Sequence, residues 1–142
     1  MHELAQERLA IAVRAAASLE GMLEETIEYT KTRKAFGNTL IEFQNTKFKL
    51  AEAKSYIEML RTFVDDCLKQ HLRGELSAER AAMAKLVATE TQGKWLDEML
   101  QMHGGYGYMR EYTVGRAWLD ARVMRIYGGT SEVMKEIISR NL

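Results

Sequence analysis

Three short stretches of this chain hold the residue types that do chemistry. In Gln101-Met-His-Gly-Gly-Tyr-Gly-Tyr108, three glycines fall within four positions, with Tyr106 and Tyr108 interleaved. Glycine lets a backbone come close to another surface, so this run suits a flat or anionic ligand. A helix cap would explain one such glycine, Gly104 or Gly105, but a cap needs only one. Thr32-Arg-Lys-Ala-Phe-Gly37 places paired bases and an aromatic in a turn, and a solvated basic loop is the plain alternative. Ile126-Tyr-Gly-Gly-Thr-Ser-Glu132 runs two glycines into a capped helix start. Backbone amides and the helix dipole at such an end attract phosphate, although the same pattern also occurs with no ligand.

The elements that must position these stretches are helical. Proline is absent, and ahead of the cluster glycine occurs only at Gly21, Gly37, Gly74 and Gly93, which favours long helices over a loop-rich or all-β fold. Leu4, Ile11, Ala15, Met22 and Tyr29 step by seven or four along a first helix from Glu3 to about Tyr29. A turn is expected at Gly37-Asn38. Phe43, Thr46, Leu50, Ala53, Ile57, Leu60, Val64 and Cys67 then alternate steps of three and four, a seam that must face other helices. Gly74 ends that helix and Ser77 is a natural N-cap for the next. The third helix carries Ala78, Ala82, Leu86, Thr89, Gly93, Leu96, Leu100 and His103 at helical spacing, and small residues dominate its first half. Val114 to Arg125 predicts a short helix, and Thr130 or Ser131 caps a last one with Val133, Met134, Ile137 and Ile138. The expected fold is all-α: an antiparallel four-helix bundle with an extra short C-terminal helix.

Composition narrows the function. The 142 residues form one ordinary domain, and 46% hydrophobic content supports a real core. Lysine plus arginine balance aspartate plus glutamate, so no charge excess points to nucleic acid or to a cationic partner. A single cysteine and three scattered histidines argue against a disulfide and against a metal centre. No run has the length of a membrane span, and Met1-His-Glu lacks the order of a signal peptide, so the chain reads as intracellular.

Taken together, in this order and at these distances, the stretches resemble the C-terminal helical domain of the acyl-CoA dehydrogenases. The likeness runs from about Glu7 to the end. Its most specific parts are TRKAFG at Thr32–Gly37, Gln44, QMHGGYGYMREY at Gln101–Tyr112 and IYGGTSEVMKEII at Ile126–Ile138. Glu111, Arg116 and Asp120 repeat the family's acidic-basic-acidic spacing. A whole family enzyme has a helical N-terminal domain and a small β domain ahead of this one. Residues 1–142 therefore look like the last third of such an enzyme, or a stand-alone descendant of it.

The resemblance implies α,β-dehydrogenation of an acyl-CoA thioester, with FAD as hydride acceptor and an electron-transferring flavoprotein as the next acceptor. In many members the base is a glutamate directly after the tyrosine of an IYEGT-type motif, and here that position is Gly128. Members resembling the long-chain and isovaleryl types carry it instead on the first helix of this domain, in a Glu-Arg-Leu context that Glu7-Arg8-Leu9 matches. Glu7 is the expected base, and the Gly128 amide is left to hold the thioester carbonyl. This requires the start of the first helix to lie beside Gly128. The same resemblance assigns Arg33, Phe36, Gln44, Gln101, Gly104, Gly105, Thr130 and Glu132 to FAD, and Arg8 and Tyr127 to substrate. Arg33 and the Gln101 segment would serve a flavin held mainly by a neighbouring subunit, so a homodimer or homotetramer is implied. The location would be bacterial cytoplasm or, in a eukaryote, the mitochondrial matrix. The alternatives are a non-catalytic oligomerisation module that kept the fold, or an oxidase related to the acyl-CoA oxidases.

Overall fold

The computed structural model describes the backbone of residues 2–140 and 142, and the side chains of 4–140 and 142. Five α-helices run through it: α1 (His2–Thr32), α2 (Gln44–Leu72), α3 (Ala78–His103), α4 (Thr113–Met124) and α5 (Ser131–Ser139). Charged pairs reveal the directions. Along α2, Lys49, Glu52 and Asp66 meet Glu98, Lys94 and Arg80 of α3, so the partner number falls as the α2 number rises. Glu20 of α1 pairs with Arg61 of α2 at 3.0 Å, and Trp118 of α4 and Arg125, the C-cap of α4, reach back to Asp97 and Glu90 of α3. The first four helices therefore alternate up and down, and α1 runs parallel to α3. The expected antiparallel four-helix bundle with a short fifth helix is what forms.

The α2 seam is buried as its spacing predicts, from Leu50 through Ala53, Ile57, Leu60 and Val64 to Cys67. Cys67 has no exposed surface and is a small core residue. Its N-terminal member behaves differently, because Phe43 has extended backbone and is the N-cap of α2. Leu4 of α1 is 47% exposed, so the α1 seam starts at Ala5. The largest departure lies in α3. Its spacing pointed to one face, yet it packs against all four other helices. Ala81, Ala82, Ala84, Lys85, Ala88, Thr89, Gln92, Trp95, Leu96, Met99 and His103 are all buried. Alanines on several sides let the neighbouring helices approach closely, which fits the small-residue bias of the first half.

Helix ends are closed locally. Ser77 accepts the Arg80 amide at 3.0 Å and Thr130 accepts the Val133 amide at 3.3 Å. The turn expected at Gly37-Asn38 is a small hairpin: β1 (Lys34–Ala35) pairs antiparallel with β2 (Asn38–Thr39), with Phe36 and Gly37 at its tip at φ 52° and 87°. Positive φ at both central residues is the geometry that matches the twist of two paired strands. A 3-10 turn, Leu40–Glu42, leads into α2, and the Glu42 carboxylate accepts both the amide and the hydroxyl of Thr39.

The third glycine of the cluster has a packing role. A Cβ on Gly107 would lie 2.5 Å from the Leu100 carbonyl oxygen, and one on Gly115 would lie 2.5 Å from that of Gly107. Gly107 lets the segment after α3 fold back on the end of α3, and Gly115 lets α4 lie directly on that segment. Gly107 thus serves the packing of the bundle. Gly115→Ala should lower stability by about 1–3 kcal/mol, because its methyl meets unyielding backbone. Gly21→Ala, in mid-helix with nothing within 4 Å of the new atom, should raise it by about 0.5–1 kcal/mol. Denaturant midpoints of the two variants, at unchanged m-value, check both directions.

Candidate functional site

The sequence-predicted residues gather at opposite ends of the bundle. At the end holding the start of α1, the chain leaves α4, turns through Ile126–Gly129 and enters α5. Gly128 and Gly129 sit at φ 67° and 101°, in the left-handed region that other residues rarely adopt. Gly128 lies against α1, where a Cβ would come within 2.7 Å of Ile11 Cδ1. Glu7 is one helical turn before Ile11 and so shares its face; its side chain is exposed and pairs with no described residue. Tyr127, 38% exposed, stands immediately before the glycines.

The carbonyls of this turn point inward and meet two buried cations. Arg8 Nε donates to Gly128 O at 3.4 Å, and Lys85 Nζ donates to Gly129 O. Arg8 is 9% exposed and Lys85 1%. Burial pushes the Lys85 ammonium below its usual 10.5, and the Arg8 charge pushes it further down. Arg8 is therefore neither a surface residue nor open to a ligand at Nε: it braces the turn. A second brace comes from Glu90 of α3, which accepts from Ser131 Oγ at 2.6 Å and pairs with Arg125 at 2.8 Å. Glu132, at the start of α5, folds back on its own amide, which together with the Thr130 side chain holds its carboxyl below the usual range. It is an anion already satisfied by the helix end.

The other end is aromatic. Tyr29 stacks on His103 with ring centroids 4.1 Å apart, Tyr106 stacks on Tyr112 at 5.1 Å, and the Arg33 guanidinium lies 5.0 Å over the Tyr106 ring. Tyr29 O–H donates to the His103 carbonyl at 3.2 Å, and burial raises its phenol above the usual 10.0 despite the nearby Arg33 charge. His103 Nδ1 lies 2.8 Å from the Met99 carbonyl, so it carries the ring proton, and Nε2 is left buried without a partner. Tyr29, Arg33, His103 and Tyr106 line a cavity of about 560 Å³ together with Gln101, Gly104 and Gly105. Arg33 makes no ion pair among the described residues, and the space where Cβ atoms of Gly104 and Gly105 would lie is open. A free cation beside exposed, unobstructed backbone fits the phosphates of a dinucleotide.

Arg33, Gln101, Gly104 and Gly105 are thus brought together. Phe36 projects from the adjoining hairpin tip, 97% exposed. Gln44 is exposed on the first turn of α2 and is not among the residues lining the cavity. Thr130 and Glu132 lie at the far end. From Arg8 to Thr32 the α1 axis alone runs about 36 Å, so one copy cannot bring both groups to a single dinucleotide. Sequence reasoning overlooked Lys85 and Tyr29. The signal for Lys85 was a lysine at helical spacing within a face of small residues, Ala81, Lys85, Ala88.

Against known proteins, residues 1–142 match the family model described as acyl-CoA dehydrogenase, C-terminal domain. The mitochondrial long-chain specific acyl-CoA dehydrogenase of Sus scrofa is 50% identical over 142 residues, which is 100% of this chain and 33% of that protein. The chain thus spans about a third of the length of the curated relatives it matches. Acyl-CoA dehydrogenase from Geobacillus kaustophilus superposes with TM-score 0.96 at 43% identity, covering 99% of this chain and 37% of that one. Butyryl-CoA dehydrogenase from Megasphaera elsdenii gives 0.93 at 36%, covering 97% and 36%.

The buried lysine has a measurable signature. Its folded pKa is depressed below 10.5, so between those two values the unfolded chain binds more protons and stability rises with pH. Subtracting the stability of Lys85→Met from that of the parent, as alkaline pH is scanned toward 10.5, should give a difference that grows in the parent's favour. A flat difference would contradict the assignment.

Proposed function

This chain belongs to the acyl-CoA dehydrogenase family, as its C-terminal domain, and from that membership we propose that it forms one wall of an FAD-dependent acyl-CoA dehydrogenase active site with Glu7 as the base. The reading rests chiefly on the contact of Gly128 with α1. The turn that carries a glutamate in many members carries none here, and an Ile11 methyl occupies the space beside it. One turn away on the same helix face, Glu7 is exposed and unpaired.

In the proposed reaction the Glu7 carboxylate takes the α-proton of an acyl-CoA thioester, and the product is the trans-2-enoyl thioester. FAD, when bound, supplies the acceptor for the hydride that leaves the β-carbon. The thioester oxygen gains negative charge as the α-proton leaves, and backbone amides of the Gly128 turn would meet it. Tyr127 borders the acyl group, and Arg8 holds the turn from beneath. The remaining wall of the flavin site belongs to helical and β domains that these residues do not include.

Arg33, Gln101, Gly104 and Gly105 would hold the phosphates and adenosine, with Phe36 and Gln44 alongside. Thr130 and Glu132 would meet the dinucleotide from another copy, with the satisfied Glu132 anion suited to hydroxyl donors and not to phosphate. Because the two groups lie at opposite ends of one bundle, the proposed site takes one group from each of two copies, in a homodimer or homotetramer. An electron-transferring flavoprotein is the proposed next acceptor, and bacterial cytoplasm or mitochondrial matrix the proposed setting. No helix among the described residues is long and apolar enough to cross a membrane. The empty side chain at Gly128 is the observation that favours the second reading, a non-catalytic oligomerisation module.

The test uses the natural polypeptide carrying these residues, purified with FAD. Glu7→Gln should lower kcat by on the order of 10²–10⁴-fold with acyl-CoA binding retained. Unchanged turnover would remove Glu7 from the chemistry, and a parent inactive on every acyl-CoA would favour the module. Arg33→Ala should lose FAD on gel filtration while keeping its helical circular dichroism.

A further inference from the structure

Lys85 remains unexplained by the roles assigned so far. It is 1% exposed, makes no ion pair among the described residues, and its one described acceptor is the carbonyl of Gly129. Burying an ammonium group is costly, and a methionine would fill the same space without that cost. The charge has to act on what it touches. The nearest acidic residue along α3, Glu90, is committed to Arg125 and Ser131.

What it touches is the far edge of the proposed oxyanion site. Every described peptide bond is trans, so a carbonyl and the amide of the following residue point in opposite directions. Arg8 and Lys85 draw the Gly128 and Gly129 carbonyls into the bundle. The amides of Gly129 and Thr130 must then face away from it. Neither these two nor the Gly128 amide donates to any described acceptor. A cation on one side of a peptide unit also polarises it, so that its N–H on the other side becomes a better donor. The two cations repel each other, and each is met by one of two successive carbonyls.

We propose that Lys85 is a positioning residue: its buried ammonium fixes and polarises the Gly128–Thr130 peptide units so that their open amides meet the thioester oxygen of the substrate. The inference rests on the acyl-CoA dehydrogenase reading given above. Lys85 touches no substrate. It acts through the turn, in the way that outer-shell partners orient the groups that do.

The test compares the natural FAD-loaded polypeptide with Lys85→Met and Lys85→Gln. The readouts are kcat, KM and the infrared carbonyl stretch of a bound acyl-CoA labelled with ¹³C at the thioester carbon. Lys85→Met should lower kcat by about 10- to 100-fold, with KM and FAD content near those of the parent. The bound thioester stretch should move back toward its value in water, because polarisation is lost. Lys85→Gln keeps an N–H donor without the charge and should fall between the two. If Lys85→Met does not fold, Lys85→Gln decides on the same readouts. A parent-like kcat and carbonyl stretch in an active enzyme would overturn the proposal alone. A parent that does not dehydrogenate acyl-CoA would overturn it together with the reading beneath it.

Discussion

The helix that packs on every side governs this molecule. Because α3 touches all four other helices, its polar residues are confined to a narrow stripe through Glu90, Lys94, Asp97 and Gln101, and its early half is built from alanine. Small side chains let α1 and α2 close in, and this fixes the parallel placement of α1 beside α3. That placement brings the starts of α1 and α3 to the same end as the 126–130 turn, and their ends to the same place as the aromatic cavity. Both groups of candidate residues follow from one packing decision. Of the polar residues that α3 does bury, Lys85 reaches the Gly129 carbonyl and His103 stacks on Tyr29.

The bundle's length separates the two groups, and the separation gives each a distinct physical character. One end uses charge: two cations and a carboxylate hold a glycine turn whose own dihedral preferences are weak. The other uses stacked rings to wall a cavity and leaves a cation unneutralised within it. The first arrangement restricts backbone motion beside the proposed base. The second leaves open backbone next to a cation that no described carboxylate pairs. In the proposed assembly, self-association would bring the two ends of different copies together.

Much of this was legible in the residues. Periodicity and cap residues gave three long helices and a short fourth, the caps at Ser77 and at Thr130 or Ser131, and the buried seam of α2. Periodicity gave α3 a single face, because burial on several sides leaves only a narrow polar stripe to mark its orientation. The hairpin at Phe36 was read only as a turn, since its strands are too short to show alternation. The motif blocks identified which residues gather around Gly128 and around Gly104. They could not reveal that Gly107 is required by the Leu100 carbonyl of α3, because packing between segments leaves no local trace. They were equally silent on Lys85, whose lysine identity suggests a surface position, whereas the carbonyl it meets lies 44 positions further along the chain.

The space beside Gly128 also bears on how such a chain can change over generations. The Ile11 methyl stands where a side chain at 128 would begin, and the backbone there lies in the left-handed region. A single nucleotide change that introduced an acidic residue at 128 would meet an Ile11 methyl that has to rotate aside and a dihedral it disfavours. The side-chain obstacle can yield, whereas the backbone one cannot, so any non-glycine residue at 128 carries a lasting conformational cost.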